Sequence, residues 1–133
     1  MWALHGLSLT ALTPPPQVQV WALHGLSLIA DTGGPMFRGY VSSTLDLVGE
    51  LLLTESLDKV EVHQCLGNLL TALITSLGPD LQMESKSIKH GRNLCLVGCA
   101  AMQIHPDPLV QCTAIQCLQQ LHLFAPRYAH ITF

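Results

Sequence analysis

DKVEVHQCLGNLLTALITSLGP, residues 58–79, carries the clearest helical pattern in the sequence. Its apolar residues follow the spacing i, i+4, i+8, i+11, which places one stripe along an α-helix. They are Val62, Leu66, Leu70 and Leu73. Asp58, with Glu61 three residues later, predicts a capping box at the helix start. Polar residues recur on the opposite side, so the stretch is predicted to be an amphipathic helix and not a membrane span.

The same stripe recurs before and after this helix. The equivalent sets lie 44 residues earlier and 48 residues later, at Val18, Ala22, Leu26, Ile29 and at Val110, Ala114, Leu118, Leu121. Each of the three helices is predicted to stop at a proline, in the pairs Gly34-Pro35, Gly78-Pro79 and Ala125-Pro126. Partner helices are predicted between them over residues 36–54 and about 87–103, with the stripes Val41, Leu45, Val48, Leu52 and Leu94, Val97, Ala101. A period of roughly 40–47 residues with two helices per unit is typical of HEAT and armadillo repeats.

We therefore predict an all-α chain, a HEAT/armadillo-like α-solenoid of antiparallel helix pairs. Residues 17–133 would hold one helix, two full helix pairs and the truncated start of the next pair. Helix pairs of this kind bury their faces against neighbouring pairs, so exposed apolar surface is expected at both ends. The composition agrees, because 49% of residues are hydrophobic and 11% are charged, against about 25% charged in a typical soluble domain.

Residues 1–16 do not follow the repeat. The octamer WALHGLSL occurs at residues 2–9 and again, letter for letter, at residues 21–28. An offset of 19 residues is too short for a helix pair, and Pro14-Pro15-Pro16 would break a helix between the copies. We interpret this segment as the product of a recent duplication, or of an error in the gene model, that adds no function of its own. It has no basic start, so a signal peptide is not predicted.

Four longer stretches together resemble the HEAT repeat-containing protein 5 family. They are QVWALHGLSLIADTGGPMFR, EVHQCLGNLLTALITSLGPDLQ, CLVGCAAMQ and LVQCTAIQCLQQLHLFAPR, in residues 19–127. The resemblance implies a very long cytosolic HEAT solenoid without catalytic residues. It also implies association with clathrin-adaptor accessory proteins, and a role in vesicle-mediated transport between the trans-Golgi network, endosomes and the plasma membrane.

Two surface features are candidates for partner binding. The second helix of a HEAT pair usually lines the concave surface, where polar side chains would form a neutral groove for a peptide or helix. The groove residues are Glu61, Gln64, Asn68, Thr71, Thr75, Gln116 and Gln119. A basic patch of Lys86, Lys89 and Arg92 lies at a helix start, where the helix dipole disfavours cations. It could contact an acidic partner or an anionic membrane surface. Plain solvent exposure is the alternative for both.

Cysteine and histidine chemistry is the remaining possibility. The five cysteines form no CxxC pair, so we interpret them as reduced core residues of a cytosolic protein. Cys95 and Cys99 share a helix face but lack the four ligands of a structural zinc site. Nothing in the spacing pairs Cys112 or Cys117 with His63, His105 or His122 as a catalytic base.

The functional expectation is accordingly a non-enzymatic protein–protein interaction scaffold in the cytoplasm. No metal, cofactor or small-molecule substrate is expected, and membrane association would be peripheral at most. Six lysines and arginines are too few to predict a nucleic-acid partner. The alternatives are another HEAT-type scaffold, such as a nuclear-transport or phosphatase scaffold, an enzyme using Cys-His chemistry, or a fragment of a longer parent with no function of its own.

Overall fold

The computed structural model describes residues 15–129. All regular elements in this range are helical, which confirms the prediction of an all-α chain. The α-helices are α1 (Pro16–Gly33), α2 (Val41–Thr54), α3 (Val60–Leu77), α4 (Lys86–Gln103), α5 (Pro108–Phe124) and α6 (Pro126–Ala129). Two 3₁₀-helices, Gly34–Tyr40 and Gly78–Gln82, precede α2 and α4. None of the helices in this range is both long and apolar enough to cross a lipid bilayer.

The helices pack in two layers. In one layer α3 lies between α1 and α5, and in the other α2 packs against α4. Neighbours within a layer run in the same direction: Thr71 of α3 contacts Cys117 of α5, 46 residues later, and Asp46 of α2 contacts His90 of α4, 44 residues later. The repeat in the sequence therefore reappears as a set of spatial neighbours.

Turns at the ends of α1 and α3 have the same structure. Gly34 and Gly78 both adopt a φ of 53°, which favours glycine, and each is followed by a proline in a 3₁₀-helix. Side chains from these turns bind the end of the next helix in the layer. Arg38 donates to the Leu77 carbonyl (3.2 Å) and pairs with Asp80. Gln82, 44 residues after Arg38, donates to the carbonyl of Phe124 (2.8 Å).

Most of the predicted stripes are buried as expected. Those of α2, α3 and α5 lie in the core. In α1 the prediction for Ile29 is wrong, because this side chain is exposed. The buried stripe contains Leu23, Leu26 and Ala30 instead. The Asp58 capping box is also wrong: α3 begins at Val60, and the Asp58 carboxylate accepts a hydrogen bond from Ser56. Asp107 does cap α5, by accepting from the Leu109 amide (2.8 Å).

The predicted stripe of α4 lies on the wrong face of the helix. Val97 is 53% exposed, and the buried face instead carries Gly91, Cys95, Gly98, Cys99 and Met102. The two glycines explain the difference. A Cβ at Gly91 would lie 3.3 Å from Leu45, and one at Gly98 would lie 3.2 Å from Leu52. The small-residue face therefore allows α2 to approach, whereas Val97 is exposed and Leu94 packs only partly against the core.

A buried histidine pair joins α3 to the loop before α5. The rings of His63 and His105 lie 4.9 Å apart, and both side chains are almost completely buried. His63 donates from Nε2 to the Ser56 carbonyl (3.0 Å). His105 accepts at Nδ1 from the Asp107 amide (3.0 Å). Burial lowers the pKa of His63 below its usual 6.5, and the Ser56 carbonyl and Glu55 only partly oppose this shift.

This lowered pKa predicts an acid-sensitive fold. The unfolded chain binds a proton at His63 more readily than the folded chain, so the stabilisation is complete above about pH 6.5 and is lost as the pH falls below it. Urea unfolding followed by circular dichroism should show this fall in the free energy of unfolding. His63→Gln, which removes the titrating group, should flatten it. Equal pH dependence in both proteins would contradict the role of His63.

Candidate functional site

The polar row predicted for the groove lies on the outer face of the α1–α3–α5 layer. Glu61, Asn68 and Thr75 of α3 are exposed, and Gln64 is half-buried. On the neighbouring α5, Gln116 and Gln119 are exposed. Because α3 and α5 lie side by side in the same direction, the two helices bring these side chains onto one surface.

Thr71 has a structural position within this row. Its hydroxyl lies 3.0 Å from both the Gly67 carbonyl oxygen and Sγ of Cys117, and the side chain is half-buried in the α3–α5 contact. Thr75, one turn later, donates to the Thr71 carbonyl (3.0 Å) but remains exposed. Thr71 therefore joins the two helices, whereas Glu61, Asn68 and Thr75 remain exposed.

The repeat extends this surface to residues that the sequence interpretation missed. Adding 48 to Glu61, Gln64 and Thr75 gives Leu109, Cys112 and Leu123, which are all exposed on α5. A pattern of polar residues alone does not include these three positions, although the same offset relates Gln116 to Asn68 and Gln119 to Thr71. The exposed surface of α5 therefore carries Leu109 and Leu123 near its ends, with Gln116 and Gln119 between them.

Two open clefts lie between α1 and α3 at opposite ends of the layer. The larger, of about 770 Å³, lies beside the start of α3 and is lined by Gln17, Val20, Trp21, Asp58, Lys59, Val60, Glu61 and Val62. The smaller, of about 380 Å³, is lined by Ala30, Asp31, Gly34, Pro35, Arg38, Ala72, Thr75 and Ser76. Both clefts include members of the polar row, Glu61 in one and Thr75 in the other. The outer face thus has recesses between its helices as well as exposed side chains.

The predicted basic patch is not a patch of three exposed cations. Lys86 and Lys89 are exposed, but Lys89 pairs with Glu84 (3.3 Å). Arg92 is only 5% exposed and donates to the carbonyls of Leu81 (2.9 Å) and Met83 (3.2 Å). Its guanidinium also lies 3.7 Å from the centre of the Tyr128 ring. Arg92 therefore holds the loop before α4. The prediction that Arg92 belongs to an exposed basic patch is wrong.

The cysteines follow the core interpretation in part. Cys95, Cys99 and Cys117 are buried, whereas Cys65 is half-buried and Cys112 is exposed, which corrects the prediction for Cys112. Cys117 donates to the Gly67 carbonyl (3.2 Å), and burial raises the pKa of Cys95 to about 12. Within residues 15–129 no three histidine, cysteine or acidic side chains are grouped so that they could hold a metal ion.

This burial pattern predicts the order of thiol reactivity. In the folded chain a maleimide reagent should modify Cys112 fastest and Cys65 slowly, since a thiol must be accessible and ionised to react. Cys95, Cys99 and Cys117 should react only after unfolding. Peptide mass spectrometry of briefly labelled protein measures this order. Rapid labelling of Cys117 in the folded state would instead favour an accessible, activated thiol.

Comparison with known proteins gives no assignment. The chain matches no protein-family model and no solved structure.

Proposed function

We propose that this chain is part of a HEAT-type α-solenoid that acts as a protein–protein interaction scaffold. By its resemblance to the HEAT repeat-containing protein 5 family, it would serve clathrin-adaptor-linked vesicle traffic in the cytoplasm, at the trans-Golgi network and endosomes. Its partners would be clathrin-adaptor accessory proteins, and its contribution would be to present a surface.

The observation that carries the proposal is the regular spacing of contacts within each layer. Leu45 meets Gly91, Leu52 meets Gly98 and Thr71 meets Cys117, each pair being 46 residues apart. Such parallel stacking of every second helix is how a helix-repeat array buries its faces on its neighbours. An extended row of helices presents a long, shallow surface in place of one enclosed pocket.

The chemistry of the outer face suits a helix or an extended peptide as the ligand. Amides such as Asn68, Gln116 and Gln119 both donate and accept hydrogen bonds, so they can pair with peptide or side-chain groups. Leu109 and Leu123 add exposed apolar area at either end of the α5 row. Buried apolar area and satisfied hydrogen bonds together are the usual content of a specific protein interface.

Proximity labelling in cells tests the proposal, with the chain or its longer parent as bait. The groove variant Asn68→Arg with Gln116→Arg should lose labelling of adaptor accessory proteins. The control variant Ser42→Arg with Asn93→Arg adds the same charge at exposed sites on α2 and α4, and should keep it. Enrichment of nuclear-transport or phosphatase subunits in place of adaptor proteins would reject the trafficking role. Equal labelling by both variants would reject the groove.

A further inference from the structure

The first helix has an apolar face with no cover in the described part of the chain. Trp21 is 67% exposed and Leu28 is 50% exposed, and Gly25 lies between them on the same side of α1. Ile29 widens this face. The buried side of α1, which carries Leu23, Leu26 and Ala30, packs against α3, and Trp21 also borders the cleft at the start of α3. We call the exposed side the Trp21 face.

The repeat identifies what kind of surface the Trp21 face is. Adding 44 to Trp21, Gly25 and Leu28 gives Cys65, Leu69 and Ala72 on the side of α3 that faces α1, where Ala72 lines a cleft together with Ala30. Leu69 and Ala72 are buried on this side of α3, and Cys65 is half-buried. The Trp21 face of α1 corresponds to the side of α3 on which α1 packs. It is therefore suited to bind a helix whose sequence resembles α1.

Residues 2–12, which lie outside the described range, contain such a sequence. Four positions carry the buried apolar face of α1, namely Ala22, Leu23, Leu26 and Ala30. Their counterparts 19 residues earlier are identical: Ala3, Leu4, Leu7 and Ala11. Within this stretch the two copies differ only where Thr10 replaces Ile29 and Leu12 replaces Asp31. Both differences fall at positions that are exposed in α1.

Chain geometry determines which molecule supplies this segment. If the segment docks on α1 as α1 docks on α3, the segment and α1 run parallel. Residue 12, the counterpart of Asp31 in the duplicated sequence, then lies beside Asp31. Asp31 lies about 22 Å along α1 from Pro16, at 1.5 Å per residue. Four residue steps join residue 12 to Pro16, and they span at most about 14 Å. The segment therefore cannot reach the Trp21 face of its own chain in this orientation, whereas the segment of another molecule can.

We propose that the Trp21 face binds residues 2–12 of a second copy of this chain, and that reciprocal exchange of the two segments gives a closed dimer. Exchange of identical elements satisfies two equal faces at once and leaves a symmetric assembly. An isolated helix of this length is only marginally stable in water, so the segment would become helical on docking. This gives the duplicated octamer a role, in contrast to the sequence interpretation, and it does not depend on the proposed trafficking function.

Light scattering after size-exclusion chromatography of the whole chain tests the exchange. The wild-type chain should have the mass of two chains and dissociate on dilution. Leu7→Asp in the segment and Leu28→Asp on the Trp21 face should each weaken dimerisation by roughly a hundredfold, because each places a charge in the apolar contact. Leu9→Asp is the matched control. By its match to Leu28 it points away from the contact, so it should leave the dimer intact.

Mixing the two defective variants gives the second arm of the test. A chain with Leu7→Asp keeps a working face, and a chain with Leu28→Asp keeps a working segment, so an equimolar mixture should form a heterodimer through one exchange. A wild-type chain that remains monomeric up to about 0.5 mM would overturn the proposal. So would a dimer that neither Leu7→Asp nor Leu28→Asp weakens, or an equal loss with Leu7→Asp and Leu9→Asp. Unchanged far-ultraviolet circular dichroism of each variant would show that the helices remain folded.

Discussion

Replacing Gly67 with alanine should destabilise the chain by about 2 kcal/mol. Gly67 lies in the middle of α3, where helix propensity alone would make alanine more stable by roughly 1 kcal/mol. A Cβ at this position would overlap Cγ2 of Thr113 and lie 2.9 Å from Sδ of Met102. Because Thr113 is β-branched and buried in α5, it has little freedom to move aside. Helix propensity predicts that alanine stabilises the chain, whereas the overlap with Thr113 predicts that it destabilises the chain. The sign of the change in unfolding free energy therefore shows which effect is larger.

Gly49→Ala provides the matched control for this prediction. Gly49 is also inside a helix, but a Cβ there would meet only Leu94 at 3.4 Å, an ordinary contact distance. Its alanine variant should be neutral or more stable by up to about 1 kcal/mol. Urea unfolding of both variants gives the comparison. If Gly67→Ala proves as stable as Gly49→Ala, α3 and α5 do not approach each other as closely as the structure requires.

Arg92→Met should destabilise the chain by about 3 kcal/mol. Methionine keeps much of the aliphatic stem but removes the hydrogen bonds to the Leu81 and Met83 carbonyls, which then lose a charged donor. It also removes the stacking of the guanidinium on Tyr128. The loss would loosen the segment between the second 3₁₀-helix and α4, together with the start of α6.

Lys89→Met is the control, because Lys89 lies on the same helix and its ion pair with Glu84 is exposed. An exposed pair of this kind contributes at most about 1 kcal/mol. Thermal unfolding of the two variants, and hydrogen exchange at residues 81–85, would separate their effects. Similar stability of Arg92→Met and Lys89→Met would mean that Arg92 is a surface cation after all.

Helical periodicity predicted much of this fold, because a stripe of large aliphatic residues can be recognised without knowing its neighbour. The stripes of α2, α3 and α5 are of that kind. The buried face of α4 could not be recognised in this way. Its contact with α2 depends on Gly91 and Gly98, which leave space for Leu45 and Leu52. A glycine has no side chain to mark a buried face. The stronger apolar signal was the pattern of Leu94 and Val97, which lies beside the buried face, because Leu94 is half-buried and Val97 is exposed.

The candidate site also contains features that the sequence predicts and features that it does not predict. Exposure of the polar row on α3 followed from its position opposite the apolar stripe. The roles of Thr71 and Arg92 depend on the atoms that they meet, Sγ of Cys117 in one case and the carbonyls of Leu81 and Met83 in the other. Such contacts join residues through the folded backbone. Residue type alone therefore predicted a polar groove residue and a surface cation where the structure has two internal supports.

The repeated stacking of every second helix can be measured by nuclear Overhauser effects between protons of paired residues. We expect effects from the Thr113 methyl to the Gly67 Hα, from the Leu45 methyls to the Gly91 Hα, and from the Leu52 methyls to the Gly98 Hα. All three join residues 46 apart, across both layers. If these effects are absent and α2 shows effects only to the helices next to it in sequence, the chain is an ordinary up-and-down bundle and every second helix does not stack.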